Sequence, residues 1–201
     1  MKIVAVIPTL GERPEMGDLA KQLVSEGVDT LVFGLPGENL HHIWNQGAHM
    51  ARDWRGADFA AILNDDIRLP VGTLGVMANL MAEAGFACMG VDSKAAFGIA
   101  DDLRAEEITG SGERLMEGVT TWCFMVRADA WHDIDEQYEW WWGVGDLFEK
   151  IQTAGGKLGR VRGLGIEHVG SGTASRHVWT KGAIARDEKR WRESHSARRR
   201  S

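Results

Sequence analysis

A chain of 201 residues with 44% apolar and 26% charged residues has the material for one domain with a packed core, which excludes a disordered or fibrous polypeptide. A formal charge of −6 excludes a body-wide polyanion-binding surface; only the last dozen residues, RWRESHSARRRS, are strongly basic. Cys88 and Cys123 both lie in apolar runs, which fits buried intracellular thiols and excludes a disulfide framework.

KIVAVIPTL is a continuous apolar run ended by Pro8-Thr9, the pattern of a strand buried on both faces. It is too short and too soon broken for a signal peptide. No other window reaches the roughly 18 apolar residues of a membrane span, so a soluble, cytoplasmic protein is expected. GERPEMG follows as a loop, and DLAKQLVSEG as a helix with Leu19, Leu23 and Val24 at helical spacing and Gly27 as its stop. DTLVFGL is a second strand and PGEN a turn. NLHHIWNQGAHMARDW predicts a helix with Leu40, Ile43 and Ala51 on its buried face. ADFAAILNDDI is a third strand, VGTLGVMANLMAEAG a helix interrupted by Gly72 and Gly75, and FACMGVDS a fourth strand.

This alternation predicts an α/β fold, a mostly parallel sheet covered by helices on both faces. In such sheets ligands bind beyond the carboxyl ends of the strands. Those ends are Pro8-Thr9, the Gly34–Asn39 turn, Asn64-Asp65-Asp66 and Asp92-Ser93. After Ser93 the rhythm is lost, and residues 94–117 are expected to be irregular. VTTWCFMVRADAWHDID predicts a strand and then a turn at Ala128–Trp131. DLFEKIQTAGGKL predicts a helix from Asp146 to Gly155-Gly156, GRVRGLGIEHV a last strand, and residues 181–195 an amphipathic helix. One domain over residues 1–180, followed by a C-terminal helix and basic tail over 181–201, is the simplest organisation.

The chemistry concentrates in FAAILNDDIRLP. A buried strand that ends in an amide and two adjacent carboxylates offers oxygen ligands to Mg²⁺ or Mn²⁺, cations that take one or two carboxylates together with substrate phosphates. A plain polar turn is the competing explanation. The chain has no GxxxxGK[ST] phosphate loop, no GxGxxG after the first strand and no GxSxG.

The motif order is a first strand with PTLGERP, WNQGAHMA on a helix, AILNDDI, GVTTWCFMVRADAW, DIDEQYEWWWGVGDLFEKIQTAGGKL and IEHVGSGT. That order resembles the family 2 glycosyltransferases, GT-A-fold enzymes that use nucleotide-diphosphate sugars, over about residues 1–175. It is similar to compact members met in bacterial and phage genomes. The resemblance implies that Pro8, Thr9, Glu12 and Arg13 face the nucleotide base and ribose, and that Asn45 lines the donor pocket. It implies further that Asn64 and Asp65 approach the ribose and diphosphate, that Asp66 holds the metal, and that His168 completes the metal's shell. A uridine-based donor is the expectation from family frequency.

Two departures from the family pattern stand out. The second strand, LVFGLPGEN, has no acid before Glu38 to select the base. Where inverting members carry a carboxylate base this chain has Val144, and valine cannot take a proton. Asp146 is the nearest substitute, then Asp135 and Glu136; Asp146 is equally suited to the first turn of its helix. Trp122, Trp141 and Trp142, three of nine tryptophans, are candidates for an acceptor platform. GSGTASRH is a candidate lid over the diphosphate. Alternatives are a transferase-like module that only binds a glycan or nucleic acid, and an active transferase whose acceptor is DNA held by the arginine-rich tail. Nucleotidyl transfer ranks lower, since GERPEMG offers a single arginine.

Overall fold

The computed structural model describes residues 1–11, 13–34, 39–92, 94–110, 113–140, 142–169 and 178–198. Strand β1 (Ile3–Thr9) sits inside the sheet, and Val4 through Ile7 are fully buried. Its side chains alternate between two apolar clusters, Ala5 and Ile7 into one and Val6 into the other, so β1 is covered on both faces. β2 (Asp29–Gly34) and β3 (Phe59–Leu63) flank it in parallel. Helix α1 (Pro14–Ser25) starts on Pro14, whose fixed φ suits a first helical position, and buries Leu19 and Leu23. Helix α2 (Leu40–His49) is capped by Asn39, whose side chain accepts from the N–H groups of His41 and His42. It continues as one π-helical turn through Met50–Trp54. Gly47 lets α2 lie directly on β1, because a Cβ there would collide with Val6.

The short strand β4 (Ile67–Arg68) precedes helix α3 (Thr73–Ala84) and strand β5 (Phe86–Val91). Then comes β6 (Gly98–Ile108), eleven residues long, followed by helix α4 (Glu113–Gly118), β7 (Cys123–Arg127) and helix α5 (Gly143–Thr153). Strands β8 (Lys157–Gly165) and β9 (Glu167–His168) and helix α6 (Val178–Arg198) complete the chain. The seven-stranded sheet has the order β2-β1-β3-β7-β5-β8-β6, and β7 and β6 run against the other five. Leu19, Leu23, Met77 and Met81 of α1 and α3 pack on one face. Ile43, Trp44, Leu147 and Phe148 of α2 and α5 pack on the other. Among the described residues no helix is long and apolar enough to cross a membrane.

The structure corrects or extends these expectations at four points. Residues 94–117 are not irregular: they hold β6 and α4. β6 is an edge strand paired only with β8, so most of its side chains stay in water and show no apolar alternation. Glu106 on it accepts from Arg160 and Arg162 of β8, which holds its carboxyl down at about 2. The fourth strand, β5, is separated from β3 by the antiparallel β7, a crossover that local patterns do not reveal. The helix expected from Asp146 begins at Gly143, and the last helix runs over Val178–Arg198 rather than 181–195.

Candidate active site

The carboxyl ends of β1 and β3 bring Thr9 and Asp65 together. Thr9 Oγ1 donates to Asp65 Oδ2 at 2.6 Å and itself accepts from the Gly11 N–H at 2.9 Å. Asp65 is buried, and that desolvation raises its pKa above the ordinary carboxylate value although the Thr9 bond pulls the other way. Asn64 is tied through its N–H to the Trp122 carbonyl at 2.8 Å, which joins the end of β3 to the start of β7.

Asp66 and His168 meet because β4 and β9 pair antiparallel, with Ile67 opposite His168. The Val169 N–H donates to the Asp66 carbonyl at 2.8 Å and closes this two-stranded ribbon. Asp66 is 5% exposed, and its Oδ1 lies 3.1 Å from His168 Nε2 without the alignment of a hydrogen bond. Arg13 Nη2 lies 3.8 Å from Asp66 Oδ2. Trp122 stacks on His168 with ring centres 4.5 Å apart and planes 7° apart, which fixes the imidazole's orientation.

The structure thus gathers Thr9, Arg13, Asp65, Asp66, Trp122 and His168, with Pro8 buried behind Thr9 and Asn64 half-buried beside Asp65. Glu12, Trp141 and the GSGTASRH loop lie outside the described residues. Two polar atoms in this cluster, Asp66 Oδ1 and Arg13 Nη2, are buried without a hydrogen-bond partner. Such orphans are costly unless a bound group completes them. Among the described residues no three His, Cys, Asp or Glu are arranged to hold a metal ion by themselves. A carboxylate and an imidazole side by side do suit Mn²⁺ or Mg²⁺ when phosphate oxygens supply the remaining ligands.

The remaining candidates face elsewhere. Asn45 has its amide fully engaged with Ile134, donating to the carbonyl and accepting from the N–H, both at 2.9 Å. It ties α2 to the 131–138 segment. Asp146 is the fourth residue of α5, and its Oδ2 pairs with Lys150 Nζ at 2.7 Å and accepts from the Asp135 N–H at 3.3 Å. Asp135 Oδ1 accepts from the Gln137 N–H, and Glu136 pairs with His42 at 2.8 Å. These bonds lead into α2 and α5, not to Asp66. Trp142 is half-buried, its ring centre 5.9 Å from that of Trp191.

Sequence reading passed over three residues that shape this side. Asp187 is fully buried on α6 and accepts from the N–H groups of Glu139 (2.9 Å) and Trp140 (2.8 Å). Arg186 forms a two-pronged bond to Glu139, at 2.8 and 2.7 Å. His41 is fully buried under the same segment, at 2.9 Å from the Tyr138 carbonyl, and burial lowers its pKa. Asn39 ahead of Leu40 was legible as a helix cap; Asp187, in a charged helix, carried no local signal. Of the basic tail, Arg190 donates to the Gln137 carbonyl and Arg192 to Glu188, while Arg199 and Arg200 lie outside the described residues.

No protein-family model and no curated protein matches the chain. Solved structures do match. A197 from STIV superposes with a TM-score of 0.56 at 12% identity, over 84% of this chain and 85% of that one. A fragment of S. aureus TarS gives 0.54 at 12% identity, over 80% of this chain and 58% of that one. A variant of Drosophila β1,4-galactosyltransferase 7, in complex with manganese, UDP-Gal and xylobiose, gives 0.55 at 14% identity, over 88% and 74%. At these identities the likeness establishes the fold, and the fold is GT-A.

Proposed function

We propose that this GT-A-fold chain is a metal-dependent glycosyltransferase that moves a sugar from a nucleotide-diphosphate donor to an acceptor hydroxyl. The observation that carries the reading is the buried Asp66 carboxylate, held against His168 and Arg13 at the carboxyl ends of β1 and β3, with one oxygen unmatched. In transfer, the bond between the sugar's anomeric carbon and the diphosphate oxygen breaks and its electron pair leaves with the nucleoside diphosphate. The acceptor oxygen bonds the same carbon and gives its proton to solvent water or to the leaving diphosphate. Asp66 and His168 would hold Mn²⁺ or Mg²⁺, which supplies a Lewis acid for the charge developing on the leaving diphosphate. Thr9 fixes the Asp65 carboxylate, and Trp122 fixes the His168 ring, so the cluster is arranged before any ligand arrives. The manganese and UDP-Gal of the Drosophila neighbour support a uridine donor and manganese for this chain.

One observation favours a second reading. The nearest substitute for the missing base, Asp146, is already paired with Lys150 and the Asp135 N–H, and Val144 is fully buried. A chain with the donor cluster whose nearest acceptor-side carboxylate is already engaged suits a binding module of transferase shape. Incubation with a panel of nucleotide sugars and Mn²⁺ separates the two, with nucleoside diphosphate release and thermal shift measured beside Asp66→Ala. Release and stabilisation that the substitution abolishes are expected of the transferase. Stabilisation without release selects the module, and the absence of both sinks the donor site.

A further inference from the structure

We propose that Arg13 is the internal counter-ion of Asp66 and makes divalent-cation binding conditional on a nucleotide diphosphate. The inference rests on the donor-site reading above and adds a role for one residue within it. The Arg13 side chain is 12% exposed and that of Asp66 6%, so little water screens their attraction across 3.8 Å. Yet the contact is long for a directed bond, and Arg13 Nη2 has no hydrogen-bond partner at all. It is an electrostatic pair that can be exchanged without breaking a well-formed bond.

A guanidinium cannot shed its proton, so it relieves a nearby second cation only by moving. A lone divalent ion approaching Asp66 therefore meets a carboxylate already neutralised and a positive charge close by. A diphosphate changes both terms. Its oxygens give Arg13 a planar, two-pronged partner and give the cation its missing ligands. Cation and diphosphate then raise each other's affinity by one common factor, as linkage requires.

Isothermal titration of the full chain with Mn²⁺ alone, UDP alone and Mn²⁺ in saturating UDP tests this on the wild type, Arg13→Gln, Arg13→Lys and Asp66→Asn. In the wild type, UDP is expected to tighten Mn²⁺ at least tenfold. Arg13→Gln, neutral and of similar reach, is expected to bind Mn²⁺ alone at least about tenfold more tightly than wild type and UDP alone more weakly, so that the coupling shrinks. Arg13→Lys keeps the charge and the weak binding of Mn²⁺ alone. An Arg13→Gln variant that binds Mn²⁺ no more tightly than wild type, undetectable binding by both included, overturns the proposal. Should that variant not fold, wild-type Mn²⁺ affinity unaffected by UDP overturns it equally. Binding that Asp66→Asn leaves intact would instead sink the metal site itself, a separate outcome.

Discussion

Asp187→Ala should loosen the segment that holds Glu139 and Trp140 and lower stability by an amount the structure allows to be worked out. The carboxylate is fully buried on α6 and accepts two backbone N–H groups, at 2.9 and 2.8 Å. Bonds to a charged acceptor contribute about 1.5–3 kcal/mol each, so both together contribute about 3–6 kcal/mol. The alanine variant recovers part of that, because no carboxylate has to be desolvated and the half-buried amides of Glu139 and Trp140 can be hydrated. A net loss of about 3 kcal/mol remains, which for a chain of this size corresponds to a fall in Tm of about 6–12 °C. Asp187→Asn should fall between, since its amide oxygen accepts from one N–H while its NH₂ opposes the other. Thermal and urea unfolding give the loss, and hydrogen exchange locates it at the amides of Glu139 and Trp140. A Tm within about 2 °C of wild type, or unchanged protection at those two amides, would refute the reasoning.

Two predictions concern pH. His41 is buried, and desolvation lowers its pKa below the ordinary 6.5. Its contribution is therefore complete above pH 6.5 and is lost below it, as the unfolded chain takes up a proton the folded one resists, by at most about 1.4 kcal/mol per pH unit. His41→Asn keeps a donor for the Tyr138 carbonyl and should flatten the urea midpoint between pH 6.5 and 5.5; parallel curves for the two proteins count against it. For Asp65 the sign is reversed. Burial raises the carboxyl's pKa, so its favourable contribution belongs to the protonated form and is lost as pH rises through the folded pKa. Asp65→Asn should then melt above wild type at pH 7 and converge with it toward pH 3.8. A variant melting below wild type at pH 7 contradicts the desolvation argument.

The first half of the fold was legible because its strands are buried on both faces. Val4–Ile7 and Phe59–Leu63 are continuous apolar runs, and a sheet with helices on both sides has few other ways to bury them. The second half was not. β6 carries Asp101, Asp102, Arg104 and Glu106 because an edge strand keeps its side chains in water, so its pairing with β8 leaves no period to detect. The same holds for the site. Asn64, Asp65 and Asp66 announced themselves as an amide and two acids ending a buried strand. The contact with His168 depends on the two-residue strands β4 and β9, too short for any pattern. Asp146 illustrates the limit: an acid before an apolar helix face looks the same whether it faces a substrate or, as here, Lys150 and the Asp135 N–H.

The placement of charge separates the two residue groups. On the side of Asp187, Asp146 and Glu139, every carboxylate faces a partner from the chain itself, an arginine, a lysine or a backbone N–H. Such groups hold segments in place. On the side of Asp65 and Asp66, two adjacent carboxylates are buried against one loosely placed guanidinium, one imidazole and one hydroxyl, and burial works against the ionised form of Asp65. Asp66 has Arg13 as its counter-ion, whereas Asp65 has only the Thr9 hydroxyl, and burying that second acid costs the free protein stability. A divalent cation entering with a diphosphate would relieve it, cation to Asp66 and phosphate to Arg13. Asp66 Oδ1 and Arg13 Nη2, an acceptor and a donor without hydrogen-bond partners, fall side by side here, which suits a ligand that brings a cation and phosphate oxygens together.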